Sequence, residues 1–126
     1  MNRGNRPLKA IAEAKRYAAR VGFQVGSLET PCFPYDFIAV REGSATLVRV
    51  RRVRYRKFTV AEIEFSCREA IADLRKVPVS GTIARELWVR GPDRPFFRYA
   101  VTDDRIIALS GEGEQILRGQ QTLTTG

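Results

Sequence analysis

Apolar side chains return at helical spacing through RPLKAIAEAKRYAARV, residues 6–21: Leu8, Ile11, Ala14, Ala18 and Val21 form one stripe. Asn5 is positioned to cap this helix, Pro7 falls in its first turn, and Gly22 closes it. FQVGSL, residues 23–28, predicts a short strand, and ETPCFPY, with two prolines, a loop. DFIAVRE at 36–42 and ATLVRVRRVRY at 45–55 predict two antiparallel strands turning at Gly43-Ser44. Thr59 followed by Glu62 is a capping box, opening one helix that runs to residue 77. Val60, Ile63, Cys67, Ile71, Leu74 and Val77 form its inward face, and Pro78 ends it. IARELWVRG at 83–91 is a further strand, and FFRYAVTDDRIIALS at 96–110 reads as two short strands around Asp103-Asp104. The order α-β-β-β-α-β plus a C-terminal hairpin predicts an α/β domain with one mixed sheet over residues 1–110. Residues 111–126 read as a polar, flexible tail.

Strand alternation places chemistry on these elements. Asp36, Ile38 and Val40 share one face of their strand. In the next strand Leu47, Arg49 and Arg51 share a face, while Val48 and Val50 point the other way. Two arginines inside a strand that reads as central are expensive unless paired or functional. On the first helix Lys9, Glu13 and Tyr17 are spaced i, i+4, i+8, which predicts a Lys9–Glu13 surface pair.

Composition narrows the chemistry. With 126 residues the chain suits one domain, and no stretch is apolar enough to span a bilayer. The basic N-terminus lacks the apolar run of a secretory signal, so the default location is the cytoplasm. There is no histidine, which excludes Cys/His zinc sites, Ser-His-Asp triads and histidine bases. Cys32 and Cys67 read as free thiols, one near a loop and one on the core side of a helix. Lys and Arg number 22 against 14 Asp and Glu, a net charge of +8. That excess points to an anionic partner, most often nucleic acid, and not to a membrane. Eighteen of the cations are arginine, whose planar fork bonds phosphate bidentately. An arginine-rich chain that uses arginine on every solvated face would show the same composition. The basic stripe comprises Arg41, Arg52, Arg54, Arg56 and Lys57, with Arg90 and Arg94 as a second contact region. Tyr35, Tyr55 and Phe58 are placed either to stack on bases or to enter the core, and Trp88 reads as core.

The run AEAKRYAARVGFQV, PYDFIAV and ATLVRVRR resembles the PD-(D/E)xK nuclease superfamily, within it the archaeal Holliday junction resolvase-like group. The resemblance lies in the order of elements over residues 8–90 and implies a restriction-endonuclease-like mixed sheet. In active members an Asp and a Glu hold a divalent metal, usually Mg²⁺, and a lysine orients the attacking water. Carried over by position, Asp36 is the first carboxylate and Glu13 the helix glutamate that assists some members. Arg49 stands where the second carboxylate belongs, and Arg51 where the lysine belongs. Arginine offers no lone pair to a metal, so an Asp36–Arg49 bidentate pair is expected in the metal's place.

Three functions are compatible with these residues. The first is a nucleic-acid-binding module, for DNA ahead of RNA, with the metal site lost and no cofactor. The second is an active Mg²⁺-dependent endonuclease that keeps Asp36 as a ligand and draws its other acids from Glu62, Glu64 or Glu69. The third is a structural or protein-interaction subunit. Resolvase-like relatives are homodimers, so a homodimer fits the first and third alike.

Overall fold

The computed structural model describes residues 7–27, 34–54, 59–79, 81–92 and 96–109. The element order is α1 (Leu8–Arg20), β1 (Gln24–Ser27), β2 (Phe37–Arg41), β3 (Ser44–Arg52), α2 (Val60–Ser66), α3 (Arg68–Arg75), β4 (Ile83–Arg90), β5 (Phe96–Val101) and β6 (Ile106–Leu109). The strands form one six-stranded sheet in sequential order. Among the described strands β3 and β4 run parallel and the other neighbours are antiparallel. Parallel neighbours need a crossover, and α2–α3 supplies it.

Alternation along the two central strands divides the core between the faces of the sheet. Phe37, Ala39, Val48, Val50 and Trp88 pack under α1 through Ala10, Ile11, Ala14, Tyr17 and Ala18. Leu87, Val89, Tyr99, Val101 and Ile106 pack under α2 and α3 through Ile63, Cys67, Ala70, Ile71 and Leu74. Trp88 anchors the first layer, meeting Tyr17 at 5.6 Å and Phe37 at 5.5 Å, both edge to face. Tyr17, one turn beyond Glu13, is buried, its ring reaching Trp88. Leu8, expected in the stripe, is 67% exposed at the helix start.

Local details follow the sequence closely, with three corrections. Thr59 and Glu62 form the full capping box. The expected single helix is instead two, broken at Cys67, whose φ of −110° and ψ of 24° leave the helical range. Inward side chains on both pieces still face the sheet, except Val60, which is exposed at the start of α2. The hairpin turn is Glu42-Gly43 rather than Gly43-Ser44, with φ of 52° and 82°. Two successive positive φ values match the twist of a two-residue hairpin, and glycine takes the second without strain. Ser44 is already in β3, and its Oγ donates to Arg41 O. At the start of α1 it is Pro7, not the first turn, that holds the cap position; Asn5 lies outside the described residues. The tail expected at 111–126 lies outside them too, as does Cys32. Among the described residues, no helix is long and apolar enough to cross a membrane.

Candidate functional site

The charged centre of the sheet is built on β3. Five consecutive residues, Thr46 to Val50, are buried, and Arg49 is the charged one among them. Phe37 lies opposite Val48, so the next step of the antiparallel register sets Asp36 beside Arg49. Asp36 is 1% exposed and Arg49 5%. The backbone fixes Asp36: its N–H donates to Val48 O at 2.7 Å, and its Oδ2 accepts from Val50 N at 2.8 Å. Arg49 Nη1 then approaches Asp36 Oδ1 at 3.4 Å.

The expected bidentate pair does not form. Arg49 instead divides its fork, and Nη2 donates to Asp73 Oδ2 of α3 at 3.1 Å. The shorter contact makes Asp73 the closer partner, since 3.4 Å is long for a charged hydrogen bond. Asp73 is itself 5% exposed. Lys76 reaches Asp73 Oδ1 at 3.5 Å from an exposed position, a contact of small worth in water. A guanidinium therefore sits buried between two carboxylates, one from the sheet and one from the helix above it. Burial of that set is tolerable only because each charge faces an opposite one.

Arg51 lies one alternation further along, on the same face, half-buried, with Nη1 donating to Val50 O at 2.8 Å. Burial and the neighbouring Arg49 lower its pKa from the ordinary arginine value, while Asp36, Cys67 and Asp73 oppose that shift. Cys67 is free and buried; burial pushes its thiol up, and Arg51 pulls it down.

The other predicted site residues are distributed differently. Glu13 does not pair with Lys9. Its carboxylate meets Arg90 Nε of β4, tying α1 to the sheet on the face away from α3. Structure thus places Glu13 and Arg90 together, and does not bring Glu13 to the Asp36–Arg49–Asp73 cluster. Arg41 donates to Val21 O at 2.8 Å and lies 4.0 Å over the Phe23 ring, so it closes the end of α1. Arg52 and Arg54 are exposed beside Val53 and Pro92 in an open cleft of about 690 Å³, past the carboxyl ends of β3 and β4. Arg56, Lys57, Arg94, Tyr55 and Phe58 lie outside the described residues. Tyr35 is half-buried against the α2–α3 core, and Trp88 is core. Of the helix acids, Glu62 is engaged in the capping box, while Glu64 and Glu69 are exposed.

Asp73 was not anticipated from the sequence. One signal was present: it follows Ala70 by three and precedes Leu74, which places an acid on the buried edge of an apolar stripe. Arg85 was also missed. It is buried and donates to Val101 O, to Leu74, Arg75 and Val77 O at the end of α3, and to Asp103.

The architecture is a mixed sheet with a parallel central pair, a helix on one face and a helical crossover on the other. The structure matches the Holliday junction resolvase Hjc of Archaeoglobus fulgidus with a TM-score of 0.52, over 79% of this chain and 87% of that one. Sequence identity between the two is 10%, so the likeness is one of fold. No family model matches the chain, and no curated protein matches it in sequence.

Proposed function

We propose that this chain is a nucleic-acid-binding module on a nuclease scaffold, with a guanidinium in the place of a metal ligand and no strand cleavage. The observation that carries this reading is Arg49, held at 3.4 Å from Asp36 and 3.1 Å from Asp73. A guanidinium has no lone pair for a metal and does not deprotonate. A divalent ion entering between these carboxylates would have to displace Arg49 or sit beside it, and both cost Coulomb energy in a buried site. Arg51 adds a second positive charge close by. The two guanidiniums thus balance the two carboxylates, and no net negative charge is left to draw in Mg²⁺. Binding would draw on the exposed Arg52 and Arg54, with Arg56, Lys57 and Arg94 as further contacts expected from the sequence. Arg41 and Arg90, engaged with Phe23 and Glu13, have the weaker claim.

The similar archaeal protein is a Holliday junction resolvase, which makes branched DNA the first ligand to try. Labelled four-way junction, duplex, single-stranded DNA and RNA are titrated by fluorescence anisotropy at two salt concentrations, with Mg²⁺ or Mn²⁺ added in parallel. Affinity should fall steeply with salt, weaken similarly on all ligands in Arg52→Ala/Arg54→Ala, and be accompanied by no cleavage. Salt-independent binding overturns the proposal. So does metal-dependent cutting that Asp36→Asn abolishes, which would return the active-nuclease alternative. The homodimer that the resemblance implies belongs to this proposal and is read by sedimentation equilibrium.

A further inference from the structure

The sheet ends in two edges, β1 and β6, and among the described residues no strand lies beyond either. Natural proteins blunt such edges with charge, proline or a bulge. β6 reads Ile106-Ile107-Ala108-Leu109, four apolar residues carrying neither charge nor proline, so its shortness is its main protection. The opposite edge offers poorer ground for pairing, since Gln24, Gly26 and Ser27 make up most of β1.

Bonding across the β5–β6 hairpin decides which backbone groups β6 leaves outward. Thr102 N donates to Arg105 O at 2.9 Å, so those two residues form a hydrogen-bonded pair. Antiparallel pairs alternate, and the register sets Val101 opposite Ile106, Ala100 opposite Ile107 and Tyr99 opposite Ala108. Ile107 therefore bonds inward to Ala100, while the N–H and C=O of Ile106 and Ala108 point away from the sheet. Side chains alternate as well. Ile106 is buried under α2, and Ala108, on the same face, is small and exposed. Ile107 projects from the other face and is 43% exposed.

These features fit a second copy of the same strand. A two-fold axis at Ile107 sets Ile106 opposite Ala108 of the second copy, and the reverse, so the outward groups of both residues find partners. Ile107 then meets Ile107 of the second copy in a non-hydrogen-bonded pair, where facing side chains stand closest, about 5 Å apart. Arg105 falls opposite Leu109, so no like charges meet. Centring the axis on Ile106 would set Ala108 against Asp104, and centring it on Ala108 would carry Ile106 past the end of the facing strand. We propose that β6 pairs antiparallel with β6 of a second copy about Ile107, joining two six-stranded sheets edge to edge. The pairing needs no nucleic acid, and it gives self-association a surface that the resemblance leaves unassigned. So short an edge buries little area, so the dimer is weak, half-formed at roughly 100 μM chain.

The test uses the full chain. Sedimentation equilibrium over a range of concentrations gives the dimer constant, and amide hydrogen exchange by NMR at low and high concentration locates the surface. The Ile106 and Ala108 amides should gain protection as concentration rises, while that of Ile107, bonded to β5, should be protected throughout. A net charge of +8 repels a second copy, so added salt should strengthen the dimer, the opposite of its effect on DNA binding. Ala108→Pro removes an outward N–H and no bond to β5, and should weaken the dimer at least tenfold. Ile107→Lys, at a part-exposed position, sets two cations across the axis and should do the same. An unchanged Tm shows that each variant is folded; if Ala108→Pro is not, Ile107→Lys decides alone. A chain still monomeric at about 1 mM overturns the proposal. So does a dimer that Ile107→Lys leaves intact, or one in which the Ile106 and Ala108 amides exchange freely, since its surface lies elsewhere. Protection of both amides at every concentration overturns it too, by showing that a segment of the same chain covers the edge.

Discussion

Arg49 of β3 donates to Asp73 of α3 at 3.1 Å, and this buried contact joins the sheet to the crossover helix through opposite charges. Removing one partner of such a set leaves a charge buried without its nearest counter-ion. Asp73→Ala should therefore destabilise the fold by about 3 kcal/mol, the lower end of the range for broken buried pairs, because Asp36 still faces Arg49. The triple change Asp36→Asn/Arg49→Met/Asp73→Leu should lose less than Asp73→Ala alone, since no ion is then stranded. Urea unfolding midpoints of the two proteins decide this.

Reversing the charge at the same position should create what the native chain lacks. Arg49→Glu would set a third carboxylate beside Asp36 and Asp73, a set of hard oxygen donors suited to Mg²⁺ or Mn²⁺. Millimolar Mn²⁺ should then raise the Tm of Arg49→Glu and leave that of the native chain unchanged, measured by differential scanning calorimetry. Equal stabilisation of both proteins would show that Arg49 does not exclude the ion.

Arg85 presents a different use of a buried cation. It collects three carbonyls from the end of α3, at 3.5, 3.4 and 3.1 Å, and one from β5, Val101, at 3.1 Å. Cations at a helix C-terminus also favour the negative end of its dipole. Arg85→Met keeps much of the volume and leaves those acceptors without their donor, so a loss of about 3 kcal/mol is expected. Asp103→Asn, whose side chain is solvent-exposed, should lose much less. Chemical denaturation of both variants checks the contrast.

The alkaline limb of stability should report Tyr99. Burial, with Cys67 adding, pushes its phenol up to about 12 from the ordinary 10.0. The folded state therefore holds this proton more tightly than the unfolded chain. The stability so gained is fully present below pH 10.0 and is lost as pH rises toward about 12. Cys67, raised from 9.0, contributes a loss of the same sign. Tyr99→Phe should flatten the fall between pH 10 and 12, leaving the Cys67 part, when urea midpoints are measured across that window.

The pairing of residues 36 and 49 was legible in the chain because it depends on local rules. Alternation decides which side chains of a strand share a face, and a short hairpin decides which residues stand opposite. The capping box at Thr59 and the turn at Asp103-Asp104 were legible for the same reason, each being set by a few adjacent residues. The partner of Glu13 was not. Nothing in the spacing of Lys9 and Glu13 reveals that Arg90, on a strand far along the chain, approaches closely enough to replace the local pair.

Sequence alone determined the mixed α/β sheet and the side of β3 on which Arg49 and Arg51 lie, because periodicity and turn chemistry act over a few residues. The docking of helices on the sheet decided the rest: that Asp73 takes half of the Arg49 fork, that Arg85 closes α3, and that Arg51 is left facing a polar cleft. Those contacts join different layers of the fold. Their distances depend on where α2 and α3 sit over the strands, which is fixed by the packing of Ile63, Cys67, Ile71 and Leu74 against Leu87, Val89 and Tyr99 and not by any local pattern.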